Sequence, residues 1–264
     1  MMVKNRLIPV LLLKDGYLVR SENFRIHQIL GNPIHEVERF NHWNVDELIY
    51  LDISEDNSFI DQRNDTRVKS NNDILAILEE VSKTCFMPLT VGGRIRSIKD
   101  IRERLIRGAD KVAMNTAAFE TPDLITEAAT VFGSQCIVIS VDVRKNPDGQ
   151  YEVFYDHGRK STGLTPIECV KRMEELGAGE ILLHAIDRDG AAEGYDLELI
   201  QSVVETTNLP VIALGGVGRM EDYPKAITKA GASAVAAANI FHFVELSDRA
   251  GKRAMKRAGV NVRL

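Results

Sequence analysis

Short apolar runs alternate with longer amphipathic ones along most of this 264-residue chain. Residues 7–13 are continuously apolar and broken only by Pro9, the pattern of a strand covered on both faces in a parallel sheet. Runs of the same kind recur at 47–53, 88–91, 112–115, 136–141, 180–186, 211–214 and 234–238. Between them lie segments of helical period: one places Val37, Phe40 and Trp43 on a single face, and others cover 73–83, 165–176, 196–206 and 220–229. Thr165 and Pro166 open the third of these, as a cap and a first helical residue. Lys14-Asp15-Gly16 reads as a turn, followed by a polar segment with hydrophobic punctuation at 17–24, and a longer polar stretch spans 54–72. Asn146-Pro147-Asp148-Gly149 predicts a tight turn between two short extended arms on the loop face.

One phrase occurs twice. Gly92-Gly93 after an apolar run, Gly108-Ala109 after a helical run, and Asn115-Thr116 at the end of the next apolar run recur at one constant spacing as Gly215-Gly216, Gly231-Ala232 and Ala238-Asn239. Eight strand-helix alternations imply a parallel α/β sheet. The internal repeat favours its closure into a (β/α)8 TIM barrel of one domain, 1–264, built from duplicated halves of approximately 1–130 and 131–264.

Composition narrows the function classes. With 44% hydrophobic and 27% charged residues the chain can bury a full core. A net charge of −5 with scattered cations argues against a nucleic-acid surface. No run reaches the ~18 apolar residues of a membrane span, and the first residues lack the apolar core of a signal peptide. A cytoplasmic protein is expected. Cys85, Cys136 and Cys169 show no metal-site or disulfide spacing, so reduced buried thiols are expected, with no metal and no cofactor.

In such a barrel the chemistry belongs at the C-terminal ends of the strands. That set comprises Leu12, Asp52, Gly92-Gly93, Asn115-Thr116, Asp142, Asp187 to Gly190, Gly215-Gly216 and Ala238-Asn239. Glycine pairs leading into helices expose N–H groups that suit phosphate, and two such units predict a phosphate site on each side of the mouth. Tight strand-to-helix turns are the plainer account of the same glycines. Asp142 suits general acid or base work, or the capping of a neighbouring loop. Aligning 8–12 with 138–142 makes Leu12 its counterpart. At the opposite end, Arg6, Glu47, Lys111 and Glu180 enter four strands, and two cations with two anions can close a ring. The ring is either a structural ion network plugging the floor or a gate for a small polar molecule.

Across nearly its whole length the chain resembles the HisF family, the cyclase subunit of imidazole glycerol phosphate synthase. Carrying motifs include Asp46-Glu47-Leu48, Gly108-Ala-Asp-Lys111, Asn115-Thr-Ala-Ala118, Ile186-Asp-Arg-Asp-Gly190 and Gly259-Val-Asn-Val-Arg-Leu264. The resemblance implies a doubly phosphorylated substrate bound by Gly92, Gly93, Asn115, Thr116, Asp189, Gly190, Gly215, Gly216, Ala238 and Asn239. It also implies an ammonia gate of Arg6, Glu47, Lys111 and Glu180, and a separate HisH-like glutaminase forming a heterodimer at the strands' N-terminal face.

Two catalytic aspartates are implied, at the ends of strands one and five. Asp142 matches the second, while Leu12 stands at the first and Val10 replaces a neighbouring cysteine. Arg20 stands for a loop lysine, Arg94 for a third glycine and Leu214 for a serine. A retained gate with a broken catalytic pair resembles the HisF-like paralogues associated with surface-polysaccharide biosynthesis. The resulting expectation is a barrel that passes ammonia to amidation of a sugar or sugar nucleotide, forming an acetamidino group with a sugar amidotransferase. The alternatives are the cyclase of histidine biosynthesis, a lyase, and a non-catalytic scaffold that activates the glutaminase.

Overall fold

The computed structural model describes residues 4–22, 24–43, 45–55, 73–243 and 246–264. The polar stretch expected at 54–72 lies, from residue 56 on, outside the described residues. The strands are β1 Arg6–Lys14, β2 Tyr17–Glu22, β3 Ile26–Gly31, β4 Leu48–Asp52, β5 Leu89–Gly92, β6 Lys111–Met114, β7 Ile137–Lys145, β8 Tyr151–Tyr155, β9 Lys160–Ser161, β10 Glu180–Ala185, β11 Val211–Leu214 and β12 Ala234–Ala237. The helices are α1 Pro33–Trp43, α2 Ile74–Thr84, α3 Ile98–Ile106, α4 Thr116–Glu120, α5 Asp123–Phe132, α6 Pro166–Glu175, α7 Leu197–Val204, α8 Asp222–Thr228, α9 Ile240–Phe243 and α10 Ser247–Arg257.

Eight of the strands pair in parallel in the order β10-β11-β12-β1-β4-β5-β6-β7, and β7 pairs with β10 to close the ring. This is the expected (β/α)8 barrel. Alternate residues of each strand face opposite ways. Ile8 and Val10 of β1, Ile49, Ala113, Val138, Leu182, Ile212, Leu214, Ala234 and Ala236 fill the interior. Leu7, Leu11 and Leu13 point outward into the larger core under the helices, each at most 1% exposed. Burying each stabilises the fold by roughly 1.5–3 kcal/mol.

Among the described barrel strands, β1 and β7 continue into hairpins. The arms around Asn146 to Gly149 pair as expected, Val143 with Val153. Within the polar segment at 17–24, Tyr17–Glu22 form β2, which pairs with β1 through Leu12–Val19 and then with β3. Its partners come from β1 across a turn of Asp15 and Gly16, both at positive φ.

Capping follows the local sequence. Thr165 and Glu168 form a reciprocal capping box on α6, and Asp73, Ser97 and Asp196 each accept a backbone N–H at the start of α2, α3 and α7. α10 was not foreseen. Its buried face carries Gly251 and Met255, but also Asp248 and Lys252, with Lys252 Nζ 2.9 Å from Asp46. Of the three cysteines, expected buried, Cys169 is buried whereas Cys85 and Cys136 are half-buried; all are free. Among the described residues no helix is long and apolar enough to cross a membrane.

Candidate functional site

At the N-terminal ends of the strands the four charges predicted from sequence meet. Arg6 contacts both Glu47 and Glu180, and Lys111 Nζ lies 3.3 Å from Glu47 Oε1 and 2.7 Å from Glu180 Oε2. Each anion therefore touches both cations, closing a ring across the barrel floor. Thr90 donates a further hydrogen bond of 3.1 Å to Glu47. Burial alone would lower the pKa of Arg6, but Glu180 and Glu47 outweigh it and hold it above the ordinary value. Around this end, Phe86 before β5, Ile106 at the end of α3 and Leu264 are largely exposed. Leu264 belongs here because Val262 bridges to Asn5, just before β1.

Above the ring lies the apolar interior, and above that the mouth. Asp142 faces inward near the end of β7, accepts a 3.1 Å hydrogen bond from Ser140 Oγ, and is 6% exposed. Desolvation pushes its pKa up, against the opposing pull of His184 and Ser140. Asn115 lies one step below, donating to the Ser140 carbonyl at 3.0 Å. Leu12, on the same inward face of β1, packs against the apolar interior.

His184, not singled out from the sequence, is the register partner of Asp142 across the β7–β10 pairing. Its Nδ1 lies 3.8 Å from Asp142 Oδ1 and its Nε2 3.8 Å from Asp189 Oδ1. Phe24, from the β2–β3 turn, meets the imidazole edge-on at 5.2 Å. Burial would lower the His184 pKa, but Asp189, Asp142 and Asp187 together hold it above the usual histidine value. Asp189 is correspondingly low: burial would raise it, and His184 overcomes that. The signal that could have found His184 is its parity. In an apolar strand it shares the inward face with Glu180 and Leu182, at the end where Asp142 stands.

The two glycine units are not equivalent. Gly215, Gly216, Ala238, Asn239 and Asp189 line one shallow depression together with Leu214. Asn239 Nδ2 donates to the Ser21 carbonyl at 2.6 Å, and Gly190 packs against that same carbonyl. The corresponding first-half set is packed as tightly and carries a cation as well. A side chain on Gly93 would come 2.0 Å from the Asp52 carbonyl oxygen, and Arg94 follows it at φ +53°. Arg94 reaches to 4.0 Å from Asp52, while Arg104 of α3 donates to the Gly93 carbonyl at 2.9 Å. Gly215 and Gly216 both have positive φ; of Gly92 and Gly93 only Gly93 does. The two loops are therefore not symmetric in backbone: the left-handed pair is Gly93 and Arg94 in the first and Gly215 and Gly216 in the second. Thr116 opens the five-residue α4.

Arg20 sits at the rim, bonded to Gln28 Oε1 at 2.7 Å and stacked over Phe243 at 5.3 Å. No group of three His, Cys, Asp or Glu side chains among the described residues is spaced to hold a metal ion.

Comparison with known proteins places these features in context. Residues 6–247 match the model of a family described as histidine biosynthesis protein. An imidazole glycerol phosphate synthase subunit HisF from Caulobacter vibrioides (strain NA1000 / CB15N) is 42% identical over 264 residues, 100% of this chain and 97% of the relative. The subunit of the same name from Natranaerobius thermophilus is 39% identical over 263 residues, 100% of both chains.

Proposed function

Because this chain belongs to the HisF family of histidine biosynthesis proteins, we propose that it is the synthase subunit of a glutamine-dependent pair. A separate HisH-like glutaminase releases ammonia, which enters through the barrel floor and reacts at the mouth. The observation that carries this reading is the closed ring of Arg6, Glu47, Lys111 and Glu180. A molecule the size of ammonia must break an ion pair of this ring to pass, and separating buried charges is costly enough to make the ring a gate. Exposed Phe86, Ile106 and Leu264 around the same end give a glutaminase an apolar docking rim.

At the mouth, the depression lined by Gly215, Gly216 and Asn239 offers backbone N–H groups to one phosphate. Arg94, with Gly92 and Gly93 before it and Asn115 and Thr116 just after β6, serves the other, and Arg20 adds a cation from the rim. Asp142 handles the proton. The single domain is read as two halves, 1–130 and 131–264, supported by the way β1 and β7 each run on into a hairpin.

Full-length likeness to imidazole glycerol phosphate synthase subunits supports formation of imidazole glycerol phosphate, the cyclase reaction of histidine biosynthesis, as the activity. One observation favours a second reading: Leu12 occupies the strand-one position opposite Asp142 and cannot transfer a proton. On that reading the ammonia goes to an amino sugar, forming an acetamidino group with a sugar amidotransferase as third component. The deciding experiment incubates the purified chain with ammonium and the histidine-pathway bisphosphate and follows product by mass. Turnover at about 1–10³ s⁻¹ supports the cyclase. Absence of product, with ammonium-dependent change of the amino-sugar acceptor once the amidotransferase is added, supports the second reading. Failure with both sinks the synthase proposal.

A further inference from the structure

The mouth holds one titratable group that neither the family likeness nor the candidate site accounts for. His184 stands between two carboxylates, Nδ1 toward Asp142 of β7 and Nε2 toward Asp189 of the segment after β10, each at 3.8 Å. Its Nε2 and the Oδ2 of Asp189 are buried and have no hydrogen-bond partner. An imidazole in such a position is either neutral and wasted or charged and coupled to both neighbours. Two buried carboxylates without a cation between them would repel each other in a low dielectric.

We propose that His184 is the positioning residue for proton transfer at Asp142, supplying the second titratable group that the mouth lacks at Leu12. The imidazolium, steadied by Asp189, keeps the Asp142 carboxylate ionised in its dry setting and so able to take a proton from the incoming nitrogen nucleophile. Before transfer the trio carries two negative charges and one positive; afterwards Asp142 is neutral and His184 still cationic, so the site is uncharged. The proton leaves by the reverse path, from Asp142 to the departing group or to water.

This inference rests on Asp142 acting in the synthase reaction proposed above. It adds a coupling that can be measured without substrate. Other groups that bear on the trio are Asp187, which attracts His184, and His157 at the β8–β9 turn, which acts on Asp142. Phe24 covers the ring with no charge.

The test is an NMR titration of the imidazole signals of the full-length chain, with His184 assigned by His184→Asn. His184 is expected to titrate above the ordinary histidine pKa of 6.5. Asp142→Asn is expected to lower its midpoint by about one unit, a tenfold change in proton affinity, and Asp189→Asn to lower it separately. The five other histidines report whether each variant is folded; should Asp142→Asn unfold, the reciprocal change in the Asp142 carboxyl titration caused by His184→Gln replaces it. A His184 midpoint that ignores both aspartates, or an imidazole neutral throughout, overturns the proposal. A second readout is the pH profile of turnover: His184→Asn should displace the limb that reports Asp142, whereas a purely structural role would lower the rate at every pH alike. If the wild-type chain turns over neither candidate substrate, the functional reading fails while the titration still decides the coupling.

Discussion

The two ends of the barrel hold charge in opposite ways. On the floor, two cations and two anions touch pairwise within 3.3 Å, and Glu47 is satisfied further by Thr90. At the mouth, Asp142, His184 and Asp189 stand off at 3.8 Å, and His184 Nε2, Asp189 Oδ2 and Asn239 Oδ1 are buried without hydrogen-bond partners. Buried polar groups left unmatched are expensive, so the mouth carries a cost that the floor ring does not. What separates the two ends is satisfaction of the hydrogen bonds, not the kind of residue.

The largest effect is expected at Asp142. Asp142→Asn is expected to reduce ammonium-dependent turnover by about 10²–10⁴-fold, as measured by steady-state rates on a variant that a melting curve shows to be folded. On the floor the effects should reverse. Glu180→Ala strands Arg6 and Lys111 beside one remaining anion and should cost about 3–5 kcal/mol in denaturant unfolding, because removing one member of a buried ion network leaves uncompensated charge.

Leu12→Asp restores a carboxylate opposite Asp142. If the bisphosphate is the substrate, its turnover should rise by about tenfold or more, and an unchanged rate would show that the pocket differs beyond this side chain. The smallest effect concerns pH. His184 binds its proton more tightly in the folded chain than in the unfolded one. Its contribution to stability is therefore fully present below the unfolded value of 6.5 and lost as pH rises through the raised folded value. Melting curves of wild type and His184→Asn should differ most on the acid side and converge toward alkaline pH.

Much of this arrangement is written in local patterns. Apolar runs of strand length, the doubled Gly-Gly phrase and four charges placed at strand entrances lead to the barrel and its floor ring without reference to coordinates. The β2–β3 hairpin is less visible because β2 mixes Arg20, Ser21 and Glu22 with Leu18 and Val19, and its strand character comes from pairing with β1. α10 hides for another reason. Its buried face includes Asp248 and Lys252, the latter paired with Asp46, so no apolar stripe marks it.

At the mouth the doubled glycines suggested a symmetry that the backbone does not keep, since Arg94 takes a left-handed conformation on one side only. His184 passed for a strand residue because its partners, Asp142 and Asp189, are brought to it by the closure of the sheet. Long-range register, not local propensity, brings these three side chains together.

Arrival of ammonia through the floor can be followed by supplying a complex of this chain and a HisH-like glutaminase with glutamine labelled with ¹⁵N in the side-chain amide, in the presence of excess unlabelled ammonium and the substrate that proves active. Passage through the ring predicts product nitrogen carrying nearly the full label of the glutamine; product labelled only in proportion to the mixed ammonium pool would contradict it.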